Sequence, residues 1–133
     1  MRVTRRLRRH AERIQHQALH DELTGLPNRP HFRNLISGAL ENAQRRGSHV
    51  SVLVLDLDRF KEINETLGHR SGDELLEACA ARLRELTPAG AMLARLGGDE
   101  FGVVGPGMTS REAAALAAAV AWIEQALEEA TRP

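Results

Sequence analysis

The chain has 133 residues, 18 basic and 18 acidic side chains and an apolar fraction of 42%, which suits one globular domain with a core of its own and hardly two. The zero net charge leaves no nucleic-acid footprint in the total, and a single cysteine, Cys79, excludes a disulfide within the chain. No apolar run approaches the ~20 residues of a membrane span, and the N-terminus lacks the apolar core of a signal peptide, so a cytoplasmic setting is expected.

Residues 1–20, "MRVTRRLRRHAERIQHQALH", are rich in Arg and His, with Val3, Leu7, Ala11, Ile14 and Ala18 at helical spacing. The stripe is narrow, which predicts a helical stalk and not a core helix. Leu7 and Ile14 stand one heptad apart, so the stalk is either a coiled-coil linker to an upstream input or a solvated helix, on even terms. His16 and His20 share a helix face, but no further ligands stand beside them and a zinc site is not expected.

From Asp21 the pattern is regular. "HDELTGLPNRPHF" breaks at Gly25 and Pro27, and Asn28 can cap a helix carrying Phe32, Leu35, Ile36, Ala39, Leu40 and Ala43 until Gly47. "VSVLVLDLD" then reads as a strand covered on both faces, Val50 to Leu55, ending in Asp56 and Asp58. A short helix follows, with Asp58 as its expected N-cap and Gly68 as its stop; Ser71 and Glu74 suggest a capping box for a longer one, which ends at Thr87, Pro88 and Gly90. Cys79 falls inside the apolar pattern of that helix, the mark of a buried, inert thiol. A hairpin is expected over Ala91 to Gly105, and a last helix opens with Thr109 and Glu112 and keeps Leu116, Val120, Ile123 and Leu127 on one face.

Strand, helices, strand, tight turn, strand is the order of a split βαβ unit, a ferredoxin-like or palm architecture of the α+β (α/β) class. Its first two strands run parallel and the third returns antiparallel, commonly between them. Asp56 and Asp58 then share a sheet edge with Asp99 and Glu100 at the hairpin tip. Clustered carboxylates repel unless something positive lies between them, and hard oxygen ligands in an open cluster suit Mg²⁺ completed by substrate phosphates. Asp58 is explained well enough as an N-cap. Asp56 with Asp99 and Glu100 behind two glycines points to a site for phosphate chemistry on a nucleotide.

Three blocks, "DELTGLPNRPHF", "DLDRFKEINETLGHRSGDELL" and "RLGGDEF", resemble the GGDEF family of diguanylate cyclases, from about Asp21 to the chain end. The resemblance implies a nucleotide-cyclase-like antiparallel sheet with helices, in a domain that condenses two GTP into cyclic di-GMP and pyrophosphate during bacterial signalling. Asp56, the Leu57 carbonyl, Asp99 and Glu100 look like its ligands for Mg²⁺ (or Mn²⁺), with Asp99 and Glu100 as catalytic residues and Glu100 linked also to activation of the attacking hydroxyl. Gly97 and Gly98 would let the backbone approach the nucleotide. Asn64 and Asp73 resemble the guanine-reading pair, and Arg59, Phe60 and Lys61 the helix start that holds terminal phosphates.

Each domain of the family holds one GTP, so the resemblance implies a homodimer, and it fits a fused sensor or phosphodiesterase domain elsewhere in a longer protein. Pro88 and Ala91 stand where product-inhibited members carry R-x-x-D, so feedback there is not expected. The family continues into a further strand and a helix with basic residues. Residues 21–133 are accordingly read as the domain without them, leaving Ser51 to Leu57 as an apolar sheet edge. The competing reading is a non-catalytic module of the same fold that binds GTP or a protein partner; nucleic acid and a direct membrane span are not expected.

Overall fold

The computed structural model describes residues 2–131, with side chains for 4–129. In chain order it contains α1 (Arg2–Leu19), α2 (Arg29–Arg46), β1 (Val50–Asp56), α3 (Phe60–Leu67), α4 (His69–Leu86), β2 (Met92–Gly97), β3 (Glu100–Pro106) and α5 (Ser110–Thr131). The sheet order is β1-β3-β2, with β3 antiparallel to both neighbours, as the split βαβ reading expects.

The period-two alternation of β3 divides the core. Phe101 and Val103 face α3, α4 and α5, where they meet Leu55, Leu57, Leu75, Leu76, Cys79, Leu83, Leu93, Leu116 and Val120. Val104 faces the other way and packs with Ala94, Leu96 and Phe32 under α2. Gly102 makes that second contact possible, because a Cβ there would stand 2.7 Å from Cζ of Phe32. Burial pushes the Cys79 thiol up to about 12, in keeping with an inert core side chain.

Local signals explain most boundaries. The Asn28 side chain accepts from His31 N at 3.1 Å, and Gly47 closes α2 in the left-handed region at φ 65°. Thr109 and Glu112 form a reciprocal capping box on α5, with bonds of 3.1 and 3.0 Å.

Four expectations need correction. Asp58 does not cap α3: the N-cap position is Arg59, and no side chain of that residue caps the helix. Ser71 and Glu74 are not a capping box, because α4 starts at His69 directly after Gly68, so both lie inside the helix. There the Ser71 hydroxyl donates back to Leu67 O, and Glu74 pairs with Arg70. Leu40 is 56% exposed, on the side of α2 turned from the sheet. Finally, β1 is not covered on both faces. Val52 and Val54 are 49% and 51% exposed, since α2 lies mainly over β2 and β3 and β1 occupies a sheet edge.

The α1 side chains Leu7 and Ile14 are 65% and 53% exposed, and that of Val3 lies outside the described side chains. Among the described residues no helix is long and apolar enough to cross a membrane.

Candidate functional site

The end of β1 is stitched to the start of β3. Asp56 is the register partner of Glu100, and Leu57 N donates to Asp99 O at 3.0 Å. The tip therefore brings Asp56, Leu57, Asp99 and Glu100 to one sheet edge. Asp56 is exposed, Asp99 and Glu100 are half-buried, and the Leu57 side chain is buried beneath them. Gly97 and Gly98 turn the chain at φ 137° and 47°, and nothing lies within 4 Å of where a Cβ would stand on either, so this backbone is open to approach.

Among the described residues no group of three or more His, Cys, Asp or Glu side chains is arranged to hold a metal ion. The donors at the edge are nonetheless all hard oxygens, carboxylates with the Leu57 carbonyl beside them. That set fits Mg²⁺, which commonly takes one or two carboxylates and completes its shell with water and phosphate.

Two arginines tie the signature turn to the segment between α1 and α2 and to the start of α2. Arg95 pairs with Asp21 at 2.8 Å and donates to Gly98 O at 2.9 Å, while its backbone N donates to Pro27 O. Asp21 in turn accepts from both the backbone N and the hydroxyl of Thr24. Arg29 reaches over the turn, donating through Nε to Leu96 O and pairing with Glu100 at 3.1 Å. The sequence reading used Asp21 only as a boundary and gave no role to Asp21, Arg29 or Arg95. An Arg two residues before paired glycines, with an acidic residue opening the loop, was the available signal.

Asn64 on α3 and the start of α4 are pressed together. A Cβ on Gly72 would lie 1.8 Å from Asn64 Oδ1, so glycine is required inside this helix for the approach. Asp73, adjacent in the chain, is exposed. The Asn64 Oδ1 atom is buried without a hydrogen-bond partner, a polar group that a ligand donor could satisfy.

The third part is the corner between β1 and α3. Phe60 N bonds Leu57 O at 3.3 Å, and the Phe60 ring packs partly into the core, while Lys61 is exposed. Arg59 N donates to Oε2 of Glu124 on α5 at 2.8 Å, and the Arg59 guanidinium pairs with Glu128. Glu128 holds that guanidinium above its ordinary value through its hydrogen bond and charge. Burial, joined by the charge of Asp58, pushes the Glu124 carboxyl up, against the pull of its backbone donors at Arg59 and Asp58. Asp58, Arg59, Ala121, Glu124, Gln125, Glu128 and Glu129 line a cavity of about 330 Å³.

The family model described as diguanylate cyclase, GGDEF domain, matches residues 18–133. Diguanylate cyclase TpbB of Pseudomonas aeruginosa is 48% identical over 91 residues, 68% of this chain and 21% of that protein. Cyclic di-GMP phosphodiesterase NbdA of the same species is 44% identical over 91 residues, 68% of this chain and 12% of its own length. The chain thus spans 21% and 12% of the length of these relatives. Among solved structures, the coiled coil and GGDEF domain of DgcB from Caulobacter crescentus, in complex with c-di-GMP, superposes with a TM-score of 0.76 at 31% identity, covering 90% of this chain and 61% of that one. The isolated GGDEF domain of P. aeruginosa TpbB gives 0.70 at 42% identity over 80% of this chain and 62% of that one.

Proposed function

Because this chain belongs to the GGDEF domain family of diguanylate cyclases, we propose that it condenses two molecules of GTP into cyclic di-GMP and pyrophosphate. The observation that carries the reading is the meeting of Asp56 and Leu57 with Asp99 and Glu100 at one sheet edge, behind an open diglycine turn. Asn64, with its unsatisfied buried Oδ1, and Asp73 beside Gly72 would read the guanine. The carboxylate accepts from the base N1 and N2 donors, and the amide faces an acceptor. The helix start at Arg59, Phe60 and Lys61 would hold the terminal phosphates through backbone N–H groups and two cationic side chains.

Asp56, the Leu57 carbonyl, Asp99 and Glu100 would hold Mg²⁺ or Mn²⁺, which when bound offsets charge on the phosphoryl oxygens and lowers the pKa of the attacking hydroxyl. Glu100 would take the proton of a 3′-hydroxyl. The 3′-oxygen of one GTP forms a bond to the α-phosphorus of the other, the bond from that phosphorus to the bridging oxygen breaks, and pyrophosphate leaves. Repeating the step in the opposite sense closes the ring. Since each domain offers one guanine site, two chains must face each other, and the exposed α1 stripe is one means of pairing them.

Incubation of the purified chain with GTP and Mg²⁺, followed by chromatography, tests this. Cyclic di-GMP from the wild type and none from Glu100→Gln is the expected result; product from both would remove Glu100 from the chemistry. A second reading, a non-catalytic GTP-binding or partner-binding regulatory module, draws support from the 44% match to a segment of a protein named as a phosphodiesterase. A folded chain that binds GTP and yields no product would favour it.

A further inference from the structure

The function proposed above assigns the start of α3 to the terminal phosphates of GTP, and the inference here rests on that reading. In the structure those donors already face an anion. Glu124 is only 6% exposed, yet it is a carboxylate on an otherwise apolar face of α5, between Val120 and Leu127. Its Oε2 accepts from Arg59 N at 2.8 Å. One turn further along α5, Glu128 takes the guanidinium of Arg59. The α3 N-terminus has no cap from its own segment, so the acidic residues of α5 supply one from across the domain.

We propose that Glu124 and Glu128 act as an internal anion that occupies the phosphate-holding donors of the β1–α3 corner, so that α5 and the triphosphate of GTP compete for them. An N–H directed at Glu124 cannot give its full bond to a phosphate oxygen, and a guanidinium paired with Glu128 is withdrawn from a terminal phosphate. Like charge adds to the competition, because Asp58 and Glu129 line the same cavity. GTP binding therefore requires the C-terminal half of α5, from Ala121 onward, to give up this contact. Whatever holds α5 away from the corner raises the affinity for GTP, and whatever presses it down lowers it. Guanosine, which lacks the phosphates, meets Asn64 and Asp73 alone and does not sense the contact.

The experiment is calorimetric titration of GTP with Mg²⁺, of inorganic pyrophosphate with Mg²⁺, and of guanosine into the wild-type chain, Glu124→Gln and Glu128→Gln. Glutamine keeps the size and the acceptor oxygen and removes the charge. Glu124→Gln is expected to tighten GTP and pyrophosphate on the order of tenfold and to leave guanosine unchanged. Glu128→Gln, on a half-exposed side chain, is expected to tighten both about threefold, and it carries the test should Glu124→Gln unfold. GTP bound equally or more weakly by the folded variants, with the wild type still binding it, would overturn the competition and make Glu124 a cap that orders the loop. Guanosine bound without measurable GTP or pyrophosphate binding in any variant would instead remove the phosphate assignment on which the inference rests.

Discussion

Two corners of the same sheet edge are built with opposite charge. At the signature turn, cationic side chains, Arg95 of β2 and Arg29 at the start of α2, hold carbonyls and carboxylates, leaving Asp99 and Glu100 partly exposed at the surface. At the β1–α3 corner, carboxylates from α5 hold the Arg59 backbone N–H and its guanidinium, and Glu124 is withdrawn from water. The first arrangement pairs Glu100 with Arg29 in a partly exposed contact and leaves the Asp56 carboxylate exposed to a cation. The second fills donors suited to phosphate with the protein's own anion. A nucleotide with its metal would join the two corners, and the contrast says which one must yield.

The largest expected effect lies at the signature corner. If Glu100 is the base proposed above, Glu100→Gln should lower cyclic di-GMP formation on the order of a thousandfold or more while the thermal midpoint barely moves, because a partly exposed carboxylate in that role is worth far more to turnover than to the fold. A large drop in the midpoint would recast Glu100 as structural. Arg95→Ala comes next. The Arg95 and Asp21 side chains are only 15% and 18% exposed, so the change leaves Asp21 without its cation and should destabilise by about 3 kcal/mol in urea unfolding.

At the opposite corner the effect is smaller and depends on pH. The Glu124 carboxyl is held above its ordinary value, so in the window between those two values the folded chain binds more protons than the unfolded one, and this group's contribution falls as pH rises. Glu124→Gln should remove that fall. Urea unfolding from about pH 4 to about pH 8 should show the variant gaining on the wild type with rising pH. A constant difference would mean that the carboxylate is not under a burial penalty. Least of all, Arg29→Ala should change stability by only about 0.5 kcal/mol, because its pair with Glu100 is 46% and 35% exposed. A loss as large as that of Arg95→Ala would erase the distinction between the two arginines.

Much of this was legible in the sequence, and the reasons differ by element. The run from Val50 to Leu55 and the diglycine turn were enough to foresee the β1-β3-β2 order, because a split βαβ unit with a two-residue turn has few arrangements. The same run misled on burial. An apolar strand covered on both faces and one at a sheet edge look alike until its neighbours are known, and Val52 and Val54 are half exposed. Ser71 and Glu74 had the spacing of a capping box but fell inside α4, because the break supplied by Gly68 came first. Pairings across 74 and 65 residues, Arg95 with Asp21 and Arg59 with Glu124, leave no local periodicity to read. A lone Glu within an apolar helix face was the only trace of the second.

The most direct measurement of the central claim, that residues from both corners form one metal–nucleotide site, uses Mn²⁺ as a paramagnetic probe. The labelled chain would be mixed with a GTP analogue carrying a methylene between the α- and β-phosphorus atoms, and Mn²⁺ added in small steps while amide signals are followed. Selective broadening of residues 56–60 together with residues 97–100 is the expected result. Sharp signals at both segments, with broadening confined to another surface such as the His16 and His20 face of α1, would contradict it.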